Sequence, residues 1–527
     1  MTILNALRSN IIDTDSYKVS HWRQYPQGTE YVSSYIEARS SRYAKALGEG
    51  YDFAQFFGLQ AFLSEYLAKP VTQDDIDLAE LVFEMHGEPF NKEGWQYIVD
   101  VHGGKLPIEV RALPEGTVAK TSNAMVEIIN TDPKCFWLTS YVEPALLRAV
   151  WYPTTVSTKS RVLKEVCRAY LNDTADSADG LDFMLHDFGA RGVSSLESSV
   201  LGGMAHLVNF KGTDTVMGMM GALGYYKPEF ETELAANGGD AKKAMIAVLR
   251  DMKAKGEALP AFSVEASEHS TMTIKGREGE AEQVKALIDR AKTGCIVSIV
   301  SDSYDYFHAV EKLYGDRFRA DIIEAGKNGG RVVIRPDSGD PIDVVVRTLK
   351  ILEAKFGATV NSKGYKVLPP YVRVLQGDGI DFDSMYKLLD EVKAAGYSVE
   401  NVVCGMGGGL LQKPTRDDLN FAQKASAAFI NGQWYDVYKD PATADPNFVK
   451  RSKRGRLSTV FDGVAFKTIR TADLKAHEKD AMVAVFRNGE VLVKTDLDAV
   501  RARSEQTASI FVNPTAVAVK RAAGLKK

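Results

Sequence analysis

Between residues 181 and 409 the chain repeats one pattern: a short apolar run ends in charged residues or glycine, and a helix-length amphipathic stretch often follows. The runs are LDFMLHDFG (181–189), HLVNFKGTD (206–214), AFSVEASEH (261–269), CIVSIVSDS (295–303), RVVIRPDSG (331–339), YVRVLQGDG (371–379) and NVVCGMGGG (401–409). Helical apolar spacing fills 280–292, 306–325, 342–356 and 383–395. Strands alternating with helices predict βαβ units on a parallel sheet, and runs such as CIVSIV suit strands buried on both faces. Sheets of this kind build their sites at the C-terminal strand edge. That edge here gathers His269, Asp302, Arg335, Asp337 and Asp378, more chemistry than turn preferences alone supply. A closed barrel is the preferred arrangement over an open sheet.

The pattern changes near residue 180. Before it, aromatic-rich segments read as helical (53–67, 76–85) mix with extended pieces, LPIEVRALPEG and AMVEIIN. A chain of 527 residues has length for two to four domains. Its net charge of −4 argues against nucleic acid as a partner. No apolar stretch reaches membrane-spanning length, and the first residues lack the apolar core of a secretion signal, so a cytoplasmic protein is expected. The four cysteines (Cys135, Cys167, Cys295, Cys404) stand far apart among apolar neighbours and read as buried, inert thiols. Eight histidines include no H-E-x-x-H, and no metal-ligand set is expected from the chain itself.

Three strand ends share a chemistry. In RPDSGDP (335–341), Pro341 suits the first helical position and Asp340 its cap, so free N–H groups beside Arg335 suit a phosphate. GMGGG (405–409) leaves backbone open to close approach, and Asp378 in QGDG (376–379) suits a pair of sugar hydroxyls. Together they point to a phosphorylated sugar. Asp214 follows an uncharged run in FKGTD. His269 follows Glu265 and Glu268, carboxylates expected to raise its pKa, although on pattern alone it is as readily a satisfied surface histidine.

The segments HDFGARGVSS (186–195), NFKGTDT (209–215), EHST (268–271), VSDSYD (300–305), IRPDSG (334–339), QGDG and GGGLLQK (407–413) resemble the nicotinamide phosphoribosyltransferase family. TDSYK (14–18), NTDPKCFWLTS (130–140), WYPTTV (151–156) and KRSKRGRLS (450–458) extend the resemblance from about residue 10 to 460. It implies an irregular α/β barrel of the type II phosphoribosyltransferase kind (181–415) with a second mixed α+β sheet domain built from 1–180 and 416–527. It also implies a homodimer with shared active sites. The implied reaction joins nicotinamide to 5-phosphoribosyl 1-pyrophosphate, giving nicotinamide mononucleotide and pyrophosphate, with Mg²⁺ accompanying the pyrophosphate.

The same resemblance assigns roles. Phe188 stacks on one face of the nicotinamide ring and Tyr17 of the second subunit covers the other. Asp214 accepts from the carboxamide NH₂, and as a buried carboxylate it opposes nicotinate. Arg191 and Arg335 bind phosphate or pyrophosphate, while Asp302, Asp337 and Asp378 lie on the phosphoribosyl side. Gly377, Gly407, Gly408 and Arg416 hold the 5′-phosphate, and Arg39, Lys424 and Lys439 complete the pyrophosphate site. His269 is the histidine that ATP phosphorylates to enhance turnover.

Some features depart from the family pattern. The stretch between Asp214 and His269 is long, and Met245, Val248, Leu249 and Met252 predict an extra surface helix over 240–255. Met406 and Ala190 replace residues that are polar or aromatic in some relatives. Three other readings stand beside the main one: a nicotinate enzyme, a non-catalytic dimeric binding protein, and an aldolase-type barrel with Lys211 as its nearest candidate amine.

Overall fold

The computed structural model describes residues 2–41, 52–439 and 452–511. Residues 441–446, whose prolines suggest a linker, and Lys450 and Arg451 of the basic segment KRSKRGRLS lie outside the described residues. The chain packs as two units. One comprises Lys159–Ala222 and Met252–Pro414; the other takes the described residues up to Thr158, Leu223–Asp251 and residues 415–511.

The first unit is built on seven parallel strands: β1 (Leu185–Asp187), β2 (Gly212–Thr213), β3 (Glu265–Ala266), β4 (Ile296–Val300), β5 (Arg331–Arg335), β6 (Val372–Gln376) and β7 (Val402–Met406). Their order in the sheet is β2-β1-β7-β6-β5-β4-β3. The two edges are joined through Phe262: it bridges Gly212 of β2 in parallel and lies three residues before β3. Thr213 N–H donates to Phe262 O at 3.0 Å and Phe262 N–H to Lys211 O at 2.8 Å, so the sheet curls into an irregular barrel. Val297, Ile299, Val332, Ile334, Val374 and Cys404 are fully buried, as apolar runs covered on both faces require.

Helices Gly276–Ala291, Pro341–Phe356 and Phe382–Ala394 fill the crossovers. The Asp340 side chain caps the second of these, accepting from Ile342 and Asp343 N–H, with Pro341 in its first turn. Elsewhere local structure departs from the apolar pattern. His206 and Leu207 end helix Leu196–Leu207, capped by Ser195, and the strand there shrinks to Gly212–Thr213. The expected helix over 306–325 starts at Tyr306–His308, continues without a break as the π-helical stretch Ala309–Arg317, and is interrupted only at Phe318, before Arg319–Lys327. Cys295 is half-buried, donating to Arg290 O at 3.1 Å, because it precedes β4 instead of lying within it; the other three thiols are buried as expected.

The second unit carries a seven-stranded antiparallel sheet. Its order is Gln433–Asp436, Ala422–Ile430, Thr29–Glu37, Ala124–Asn130, Ile108–Ala112, Val483–Arg487, Glu490–Val491. The 53–67 stretch is not helical throughout: Phe53–Gln55 is a strand paired with Val118–Lys120, and helix begins at Leu59 after Gly58, whose φ of 102° interrupts it. The long insertion contributes helices Pro228–Ala236 and Ala241–Lys255, the latter burying Ala244, Met245, Val248 and Met252. It is anchored through Glu115, a buried carboxylate accepting from Tyr226 OH and Gln60 N–H, both at 2.7 Å.

Candidate active site

Two corners can be distinguished at the C-terminal edge of the barrel. The first is built on β1, β2 and β7. Phe188 follows β1, its N–H donating to Met406 O at 3.0 Å. Its ring lies over backbone: a Cβ at Gly405 would come within 2.0 Å of Phe188 Cε2, and one at Gly377 within 3.3 Å. Glycine at these two positions is what gives the ring its place. Just past β2, Asp214 is exposed and its Oδ1 accepts from Ser263 Oγ at 2.5 Å. That exposure corrects the expectation of a buried carboxylate at Asp214. The buried one is its neighbour across the ladder, Asp187, at 0% exposure. His186 lies against Gly212, its pKa lowered by burial and partly restored by Asp214.

The second corner is built on β3 to β6. His269 Nε2 lies 2.8 Å from Asp302 Oδ1, and its Nδ1 lies 3.9 Å from Asp337 Oδ2. These are the carboxylates that face His269. Glu265 instead pairs with Arg290, and Glu268 takes the Ser270 hydroxyl. Sequence neighbours of His269 point elsewhere because the parallel topology brings the ends of β4 and β5 beside it. Arg335 Nη2 donates to Ser267 O at 3.1 Å, while its buried Nε has no acceptor among the described residues. A buried donor without a partner is costly, and a phosphate oxygen would satisfy it. Burial raises the Asp337 pKa, Asp302 and Asp378 push it the same way, and Arg335 and His269 oppose them. Electrostatics thus bind all five expected strand-end groups into one cluster.

Gly192 and Gly408 close the loop region backbone to backbone, a Cβ on Gly192 falling 3.1 Å from Gly408 N. Gly407 and Gly408 open helix Gly408–Leu411, Arg191 is exposed after Phe188, and Met406 is fully buried as the last residue of β7. Lys211, the candidate for an aldolase-type amine, is held in an ion pair with Asp182 at 2.9 Å, so a free Schiff-base lysine is not found there.

The sheet unit brings together a set of cations. Lys424 lies opposite Tyr35 in the ladder; its pKa is lowered by burial and by Arg39, Lys453 and Lys439, with Glu37 opposing. Lys453, from the KRSKRGRLS segment, pairs with Glu37, and Arg39 Nε donates to Asn420 O at 2.8 Å. Tyr17 is 55% exposed on the short helix Ser16–Arg23. That helix is pinned by the Lys18–Glu143 ion pair, by His21 Nδ1 to Ser140 Oγ at 2.9 Å and by Trp22 Nε1 to Pro89 O at 3.0 Å. Arg416 is exposed, 3.9 Å from Asp417.

The family model of the nicotinate phosphoribosyltransferase (NAPRTase) family matches residues 183–490, and that of the nicotinamide phosphoribosyltransferase N-terminal domain matches 9–110. The nicotinamide phosphoribosyltransferase of Xanthomonas campestris pv. campestris is 45% identical over 509 residues, 95% of this chain and 99% of the relative. The chain belongs to the nicotinamide phosphoribosyltransferase family. The Acinetobacter baylyi member is 31% identical, covering 94% of this chain and 97% of its own length. Two solved structures share the fold: nicotinate-nucleotide pyrophosphorylase from Pyrococcus furiosus (TM-score 0.53, 13% identity, 97% of both chains) and human nicotinic acid phosphoribosyltransferase (0.51, 14%, 96% and 95%).

The two corners differ in chemistry: an aromatic ring against glycine near a carboxylate, and a charged cluster with an unsatisfied guanidinium donor. The barrel brings together Phe188, Asp214, His269, Asp302, Arg335, Asp337, Gly377 and Asp378 at its strand ends. Among the described residues, no group of three or more His, Cys, Asp or Glu could hold a metal, and no helix is long and apolar enough to cross a membrane.

Proposed function

We propose that the chain transfers the phosphoribosyl group of 5-phosphoribosyl 1-pyrophosphate to nicotinamide, releasing pyrophosphate, in NAD salvage. The observation that carries this reading is the first corner. The Phe188 ring is seated against Gly405, where it suits one face of a pyridine ring, and Asp214 follows β2 at the same edge with no cation paired to it among the described residues. A carboxylate accepts from a carboxamide NH₂ and repels a carboxylate, so the corner selects amide over acid.

The pyridine nitrogen is already nucleophilic and needs no base. The chain's task is to align it with C1 of the sugar and to stabilise charge as the pyrophosphate bond breaks. Arg335 Nε–H and Arg191 meet phosphate oxygens. Asp378 takes sugar hydroxyls, with Asp302 and Asp337 on the same side, and the Gly377, Gly407 and Gly408 backbone receives the 5′-phosphate. Arg39, Lys424 and Lys439, aided by Lys453, form the pyrophosphate cluster, and in a homodimer Tyr17 closes the second face of the ring.

Magnesium fits as a companion of the pyrophosphate, since the second corner offers carboxylate oxygens but no complete ligand set; it neutralises the leaving group when bound. His269, exposed and held by Asp302, is the group that ATP would phosphorylate. Four free thiols suit a cytoplasmic setting.

The test is product formation from phosphoribosyl pyrophosphate with nicotinamide or nicotinate, with and without ATP, for wild type and Asp214→Ala. Nicotinamide mononucleotide enhanced by ATP, with amide preference reduced in the variant, is expected. Wild-type preference for nicotinate would overturn the substrate assignment, and turnover of neither base would favour a binding protein.

A further inference from the structure

Asp187 ends β1, is fully buried and has no part in the reading above. Its Oδ1 accepts the Gly189 N–H at 2.7 Å, which fixes the turn carrying Phe188. Its carbonyl accepts the Asp214 N–H at 2.9 Å. Its Oδ2 lies 3.5 Å from Thr213 Oγ1, which in turn accepts the Thr215 N–H at 2.9 Å. One residue is therefore fastened to backbone beside Phe188 and to backbone on both sides of Asp214.

A carboxylate in such a place is expensive. Buried charges are normally paired, yet among the described residues Asp187 has no ion pair. Burial pushes its pKa up to about 6, the Gly189 N–H opposes that, and the Asp214 charge adds to it. An asparagine could accept the same N–H without the charge. Costly, unpaired groups persist where function needs them. The counterpart in function follows from dielectric. Asp214 is exposed and its repulsion of an anion is screened by water, whereas a charge at Asp187 is not.

We propose that Asp187 is a positioning and specificity residue for the base: it holds the Phe188 ring and the Asp214 carboxylate at their mutual spacing, and its buried charge supplies much of the discrimination against nicotinate. This rests on the placement of nicotinamide between Phe188 and Asp214.

The test compares Asp187→Asn, Asp214→Asn and the double variant in the full-length enzyme. The readouts are kcat and KM for both bases, KM for phosphoribosyl pyrophosphate, and Tm. Asp187→Asn is expected to cut the preference for nicotinamide over nicotinate by about tenfold, mainly through the KM values of the bases. KM for phosphoribosyl pyrophosphate should stay within about twofold, with Tm at or above that of wild type. The double variant should lose less than the two single losses combined, since both residues act on one group. Preference retained in Asp187→Asn but lost in Asp214→Asn would overturn the inference and leave the base corner standing. Preference retained in both would overturn the placement of the base and the inference with it. A fall in Tm with both substrates' KM values rising alike would mark a structural role and overturn the inference too.

Discussion

The two corners of the barrel edge handle charge in opposite ways. Around His269 charges of both signs meet: Asp302 at 2.8 Å, Asp337 at 3.9 Å, and Arg335 close enough to oppose the rise in the Asp337 pKa. Around Phe188 the two carboxylates, Asp187 and Asp214, raise each other's cost and have no cation partner among the described residues. The difference teaches what each corner receives. A cluster of paired charges can re-pair with an incoming phosphate or sugar at little cost. A corner with unpaired negative charge tolerates a neutral ring with N–H donors and resists an acid.

Variants that separate the corners sharpen the comparison. Arg335→Ala should have the largest effect, a loss of about a thousandfold in kcat/KM for phosphoribosyl pyrophosphate, read by steady-state kinetics, because a preorganised donor to developing negative charge is removed. Next comes the stability cost of Asp187. Its folded pKa of about 6 exceeds the usual carboxylate value, so between about pH 4 and 6 the folded chain holds a proton the unfolded chain has released. Stability is therefore lost as pH rises through that window. Asp187→Asn should gain nothing near pH 4 and about 3 kcal/mol at neutral pH, checked by denaturant unfolding at both.

Gly405→Ala should follow. Its methyl group enters the space of the Phe188 ring and should raise KM for nicotinamide about tenfold with KM for phosphoribosyl pyrophosphate unchanged. The smallest effect belongs to Lys211→Met. Its partner Asp182 also pairs with Lys164 at 3.2 Å, and a partly exposed ion pair contributes about 0–1 kcal/mol, so activity should stay within about twofold.

The barrel and its loaded edge were readable because apolar runs, glycine and charge alternate at a scale set by βαβ units. The expectation reached Arg335, Asp337, Asp378 and Asp302 for that reason. It failed where adjacency in sequence stood in for adjacency in space: Glu265 and Glu268 precede His269 in the chain, while Asp302 and Asp337 face it in the fold. Asp187 was hidden inside HDFGARG, where a carboxylate reads as turn chemistry, since its hydrogen-bond partner Thr213 lies on another strand. The run 206–211 read as strand because it is apolar, although Ser195 caps a helix that consumes its first two residues. Gly405 likewise revealed its purpose only once the Phe188 ring was seen lying over it.

The division into a base corner and a phosphoribosyl corner is tested most directly by crossed kinetics on Phe188→Ala and Arg335→Lys, with both substrates varied. Phe188→Ala should raise KM for nicotinamide at least tenfold and leave KM for phosphoribosyl pyrophosphate within about twofold, and Arg335→Lys should do the reverse. Both variants raising the same KM would contradict the division.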